Sequence, residues 1–192
     1  MIDHVTIYGA SSALIAPGYF DDARKVGALL AERGVKVVSG GGRTGLMAAA
    51  IEGARSAGGQ TIGVLPQFMI DRSWQHPDLS EVISTPDMHA RKRMMASLSG
   101  AAIALPGGVG TLEELLEIIT WRQLGLYQGN VVILNTSGYY DPLLAMLRRT
   151  VDCHFMNPDH TSLWAIASTP EEAVTLALDT PPTTRSFSQK IH

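Results

Sequence analysis

The string Leu105-Pro106-Gly107-Gly108-Val109-Gly110-Thr111-Leu112-Glu113-Glu114 has the residue types of a phosphate grip with carboxylates beside it. An apolar run over 101–105 leads into glycines, and an amphipathic run follows. A strand that turns into a helix in this way leaves the first helical N–H groups without a partner in the chain. The helix dipole favours negative charge at the same place. Glycines let the backbone come close to a phosphate, and Thr111 adds a hydroxyl donor. Glu114 then brings a carboxylate near whatever the phosphate holds. The same string can serve as a tight connection capped by threonine. Its length and its place after a strand favour the phosphate grip.

A second charged set lies upstream. Asp87 is placed to cap a helix that begins at Met88, and Gly100 to end it. Helical spacing puts Met88, Arg91, Met95 and Leu98 on one stripe. Arg91 therefore sits on the core-facing side near the helix start, where its guanidinium needs a carboxylate of the fold or an anionic ligand. Lys92 and Arg93 turn away from that stripe, Lys92 staying close to the helix start. On the downstream helix Glu113 shares a side with Glu117 and Thr120, whereas Glu114 shares its side with Ile118 and Trp121. A carboxylate on an apolar flank has a raised pKa, which suits proton transfer near neutral pH. Glu114 is thus the better catalytic candidate of the two.

These residues need a scaffold. Strand-like runs fall at 5–8, 35–39, 61–65, 81–84, 101–105, 131–135 and 164–167. Helical runs at 21–32, 44–57, 88–99, 112–124, 142–153 and 170–178 fill the gaps. Short apolar strands with helical crossovers predict a doubly wound, Rossmann-like α/β fold, a parallel sheet of about seven strands with helices on both faces. Ligands in such folds bind beyond the carboxyl ends of the strands. Three glycine-bearing turns lie there: Gly9-Ala10-Ser11-Ser12, Gly40-Gly41-Gly42 and Pro106-Gly107-Gly108. The segment 67–79, with Trp74, His76 and Pro77, is too long for a tight turn and reads as a flap or a surface excursion. One domain is expected over 1–179, with a polar, proline-bearing and flexible tail over 180–192.

Composition narrows the class. The chain has 192 residues, 45% hydrophobic and 17% charged, which suits a globular domain with its own core. A net charge of −3 gives no basic excess for nucleic acid, and no apolar run is long enough for a bilayer. The N-terminus goes straight into strand pattern without a leader's basic start. A single cysteine, Cys153, excludes an internal disulfide framework. A cytoplasmic protein is expected. The six histidines show no ligand spacing, so no metal is called for.

Gly40-Gly41-Gly42-Arg43-Thr44-Gly45 satisfies the dinucleotide fingerprint formally. The next strand, however, ends in Pro66 without the acid that would hold a ribose hydroxyl. It is not a triphosphate loop either, because Gly45 is followed by Leu46. These glycines instead let a backbone approach a ligand or the neighbouring turn.

Four strings in this order resemble one family. They are Ser39-Gly40-Gly41-Gly42 with Gly45-Leu46-Met47, then Met88-His89-Ala90-Arg91-Lys92, then Pro106 through Glu114, then Thr120-Trp121-Arg122-Gln123-Leu124-Gly125. Together they resemble the Lonely Guy family of cytokinin riboside 5′-monophosphate phosphoribohydrolases, long labelled possible lysine decarboxylases. The resemblance implies a Rossmann-like homodimer that needs no cofactor. It implies hydrolysis of the N-glycosidic bond of an N6-modified adenosine 5′-monophosphate, yielding free base and ribose 5-phosphate. By motif, Arg91 and Glu114 are the catalytic pair. Met88, Lys92, Gly108, Val109, Gly110, Thr111, Leu112, Glu113 and Thr120 form the substrate site. Ser73 stands where many relatives carry a glutamate associated with substrate binding, which leaves the preferred base open.

On this reading the turn 108–111 holds the 5′-phosphate and so orients the ribose. Glu114 activates water or stabilises positive charge on the ribose, as in glycoside hydrolysis. Arg91 stabilises the departing base or contacts the phosphate. Three other readings compete. A decarboxylase would need pyridoxal phosphate on a lysine, and Lys92, the one lysine suitably placed, better fits phosphate contact. A general AMP nucleosidase of nucleotide salvage and a non-catalytic nucleotide sensor are the others.

Overall fold

β-Branched and small apolar residues dominate the short runs that become strands, and in the interior strands such as β3, β5 and β6 they are buried on both faces. The computed structural model describes residues 2–181. Most of the expected tail, from 182 onward, lies outside the described residues. The strands are β1 His4–Tyr8, β2 Lys36–Ser39, β3 Thr61–Pro66, β4 Glu81–Thr85, β5 Ala101–Ala104, β6 Asn130–Leu134 and β7 Ala165–Ala167. They form one seven-stranded sheet in the order β4-β3-β2-β1-β5-β6-β7, and every pairing is parallel. The order reverses beside β1, so β1 and β5 flank the crevice where such sheets bind ligands.

The helices are α1 Pro17–Glu32, α2 Gly45–Ser56, α3 Gln67–Asp71, α4 Met88–Leu98, α5 Val109–Gln123, α6 Asp141–Asp152 and α7 Pro170–Asp179. Alternation along the strands decides which helices cover which face. Val5, Ile7, Val37, Ile103, Val132 and Leu134 pack under α1, α2 and α7. Tyr8, Val38, Val64, Val131 and Ile133 pack under α4, α5 and the edge of α6. The result is a three-layer α/β/α sandwich, as the strand-and-helix rhythm predicts.

Element bounds shift where local chemistry was not visible in periodicity. α1 starts at Pro17, four residues before the expected start at Asp21, because proline at the first helical position needs no N–H partner. α5 starts at Val109 and not at Leu112, with Gly108 as its N-cap. Thr111 is thus inside the first turn and does not cap it. Asp87 caps α4 as expected, its carboxylate accepting from the Ala90 N–H at 2.7 Å. The segment 67–79 is neither a free flap nor a plain excursion. It holds α3 and then pairs back on the turn after β2 through an antiparallel bridge between Gly42 and Gln75.

Candidate active site

All three glycine turns reach one cleft of about 730 Å³ at the carboxyl ends of β1, β2 and β5. That volume suits a nucleotide-sized ligand. Of the residues singled out in the sequence, Met88, Arg91, Gly108, Val109, Gly110, Thr111 and Glu114 line it. Lys92, Leu112, Glu113 and Thr120 lie outside its lining.

Arg91 and Glu114 meet at the cleft floor. Arg91 is 6% exposed and Glu114 9%. The Arg91 Nη1 donates to Glu114 Oε1 at 2.8 Å, and Nε donates to the Val64 carbonyl at 3.0 Å. The partner that the buried guanidinium requires is therefore the carboxylate itself. Burial pushes the Glu114 carboxyl above the ordinary glutamate range, and the charge and hydrogen bond of Arg91 pull only part of the way back. Tyr8, at the end of β1, is also held well above its usual range, by burial first and by Glu114 second. It stays neutral beside the pair.

Gly40 makes room for this arrangement. A Cβ built there would lie 1.9 Å from the Arg91 Nη2. Gly40→Ala should push the guanidinium off Glu114 and lower unfolding stability by about 1–3 kcal/mol, a loss that chemical denaturation would measure. Gly45, at φ +73°, also abuts a neighbouring turn, this time its backbone: its Cβ would lie 2.2 Å from the Ala10 carbonyl oxygen. Its neighbour Leu46 donates its N–H to that same carbonyl at 2.8 Å. The first two glycine turns are thus locked together by backbone contact.

α5 presents its N-terminus to the cleft. Gly108 has no side chain to cap the first N–H groups, and Thr111 folds back over Gly107. Opposite stands an apolar wall of Met47, Leu65, Met69, Trp74 and Met88. Trp74 is 44% exposed and is carried there by the strap over 67–79. The strap is fastened by Arg43 N–H to the Trp74 carbonyl at 3.2 Å and His76 N–H to the Gly41 carbonyl at 2.8 Å. Arg43 Nη1 adds a bond to the Ser73 carbonyl at 3.0 Å. Arg72 stacks over both Phe68 and Trp74.

Lys92 has a different place from the expected one. It is buried between α4 and α5, bonded to Glu113 and, at 3.1 Å, to Glu117. Burial alone would lower its pKa, but the two carboxylates outweigh that and raise it. Its charge is spent on holding the two helices together. Thr120 is exposed and donates to the Leu116 carbonyl of its own helix. Among the described residues no three His, Cys, Asp or Glu side chains gather as a metal set.

Of the apolar wall, sequence reasoning assigned only Met88 to the site; Met47, Leu65, Met69, Trp74 and Arg43 were not assigned to it. The methionines have no spacing that separates them from core. Trp74 reaches the cleft only because the strap pairs with Gly42.

A family profile described as "Possible lysine decarboxylase" matches residues 47–177. A probable cytokinin riboside 5′-monophosphate phosphoribohydrolase of Oryza sativa subsp. japonica is 42% identical over 81% of this chain. The match spans 64% of that rice protein's length. A cytokinin riboside 5′-monophosphate phosphoribohydrolase of Arabidopsis thaliana is 39% identical over 88% of this chain and 80% of its own. Among solved structures, a molybdenum cofactor binding protein from Rippkaea orientalis superposes with a TM-score of 0.68 at 26% identity, covering 90% of this chain and 92% of its own. The match of motif, sequence and fold agrees across most of the chain, and the protein belongs to the Lonely Guy family, the group also described as possible lysine decarboxylases.

Proposed function

We propose that this protein hydrolyses the N-glycosidic bond of adenosine 5′-monophosphates, N6-modified ones included, releasing the base and ribose 5-phosphate. The observation that carries this reading is the buried Arg91–Glu114 pair beside an uncapped helix N-terminus in one cleft. The curated relatives are named for this reaction on cytokinin riboside 5′-monophosphates.

The 5′-phosphate takes the N-terminus of α5, where free N–H groups and the helix dipole favour an anion. Binding there fixes the ribose over Glu114. The base lies along Trp74, Met69 and Met88, a wall that offers contact to an apolar N6-substituent. Water attacks C1′ as the C1′–N bond breaks, and the bonding electron pair leaves with the base. Glu114 takes a proton from the water and later gives it up to solvent, and the departing base nitrogen takes its proton from solvent. Arg91 holds the Glu114 carboxylate in place and stabilises charge on the floor of the cleft. No cofactor is needed for these steps.

A general base must be ionised to act, so activity requires Glu114 as carboxylate. Its raised pKa moves the acid limb upward. The pH profile of kcat/KM should fall as pH drops through an apparent value above the ordinary 4.5. A limb at or below that value would remove Glu114 from the base role.

α5 exposes Val109 and Leu116, with Leu124 and Leu126 exposed just beyond its end, and Val109 is 84% exposed. An apolar stripe of this kind is covered in a stable assembly, and a second copy of this chain is the proposed cover. A cytoplasmic location fits the lone cysteine.

The deciding assay follows base and ribose 5-phosphate release from AMP and from N6-isopentenyl-AMP side by side. Preference for the isopentenyl substrate supports cytokinin release. Equal or faster AMP cleavage recasts the protein as a salvage nucleosidase. Binding of both without turnover makes it a nucleotide-binding protein and sinks the hydrolase reading.

A further inference from the structure

β6 ends at Leu134, and the chain then turns tightly through Thr136–Gly138. Ser137 and Gly138 both have positive φ, at 54° and 70°. Asn135 closes this turn from both sides. Its Oδ1 accepts from the Tyr140 N–H at 2.7 Å, and its Nδ2 donates to Asp141 Oδ1 at 2.8 Å. The turn delivers two adjacent tyrosines to the neighbouring strand end, and both hydroxyls donate to the glycine turn after β5. Tyr140 Oη bonds the Leu105 carbonyl at 2.6 Å, and Tyr139 Oη bonds the Gly107 carbonyl at 2.8 Å. Between them the Pro106 carbonyl accepts from the Ala10 N–H at 3.1 Å.

Three consecutive carbonyls are therefore tied to groups outside the turn. In a trans peptide the C=O and the following N–H point in opposite directions. Fixing the Gly107 carbonyl on Tyr139 thereby fixes the direction of the Gly108 N–H, and Gly108 lines the cleft. Tyr139 is itself braced, edge-on to Tyr140 at 5.1 Å and to Tyr19 of α1 at 6.0 Å.

We propose that Tyr139 and Tyr140 are positioning residues, a pair of hydroxyl clamps that hold the turn 105–108 in the shape that grips the substrate phosphate. The proposal rests on reading that turn as the phosphate site. Glycines make the turn able to approach a phosphate but also leave it free to adopt other shapes. The clamps remove that freedom in advance, so less ordering is needed on binding.

Tyr139→Phe is the clean test, because Tyr139 is 41% exposed and the change removes one hydroxyl without opening a cavity. Full-length protein is titrated calorimetrically with ribose 5-phosphate and, separately, with adenine. Losing one positioning hydrogen bond should weaken ribose 5-phosphate about 3–10-fold, leave adenine unchanged, and raise KM for AMP more than it lowers kcat. Tyr140→Phe should shift the same ratio in the same direction. Ribose 5-phosphate binding equal to wild type in both variants overturns the clamp. Equal weakening of ribose 5-phosphate and adenine overturns it as well, since that is general loosening. Wild type that binds adenine but no ribose 5-phosphate overturns the phosphate-site reading itself, and the clamp with it.

Discussion

Glu114→Gln should give a folded protein whose release of base from AMP has fallen by about 10²–10⁴-fold, the usual worth of a positioned general base. Glutamine has the same shape and keeps an oxygen for the Arg91 Nη1, so the 2.8 Å bond can survive. What it lacks is the ability to take a proton from water. Substrate binding should change little, because in the proposed mode the phosphate and the base rest on α5, Met88 and the strap. The measurement is steady-state turnover with KM determined separately, alongside a thermal melt. A turnover matching wild type would remove Glu114 from the chemistry. A loss confined to KM would make it a binding residue. Glu113→Gln is the internal control: its carboxylate faces Lys92 and lies outside the cleft lining, so turnover should stay within a few-fold.

Arg91→Ala should be damaging in two ways. It removes positive charge from the cleft floor, so turnover collapses. It also leaves Glu114 buried without its ion partner, and breaking a buried pair from one side destabilises by about 3–5 kcal/mol. The pH dependence identifies the cause. Burial already holds the Glu114 carboxyl above its ordinary range, and the Arg91 charge and hydrogen bond are what lower it. Without Arg91 the folded-state pKa rises further above the unfolded value. A group with a raised folded-state pKa contributes stability at low pH and loses it as pH climbs through the folded value. The stability gap between Arg91→Ala and wild type should therefore widen from pH 5 to pH 8. A gap that narrows over that range would mean Glu114 is not the group left stranded. The double variant Arg91→Ala with Glu114→Gln should recover part of the lost stability at pH 8, since position 114 then buries no unpaired charge.

The sequence was informative where a contact follows from one element's own periodicity. Alternation in β1 puts Val5 and Ile7 on one face and Tyr8 on the other, and the structure packs them so. Helical spacing separates Glu114 from Glu113, and the two go to different partners, Arg91 and Lys92. The sequence was silent where position depends on another element. Lys92 reads as a ligand contact beside Arg91, but its neighbours Glu113 and Glu117 belong to a helix set by tertiary packing. Trp74 cannot be placed without the pairing of Gln75 with Gly42. Tyr139 and Tyr140 follow a turn with two positive-φ residues, one of them a serine, and no composition rule marks that serine in advance.

β1 lies at the centre of the sheet, yet it is made before every other strand of that sheet, and that order has a cost during synthesis. Its partner on one side, β2, follows within one helix. Its partner on the other side pairs Val5 with Ala101, roughly a hundred positions later, and contacts of that separation form slowly. Until then the growing chain holds β1 with one edge unpaired and with apolar side chains that will be interior in the finished fold. Arg91 is made before β5, and Glu114 after it. The nascent chain thus carries the Arg91 cation without its carboxylate partner until five of the seven strands have been made.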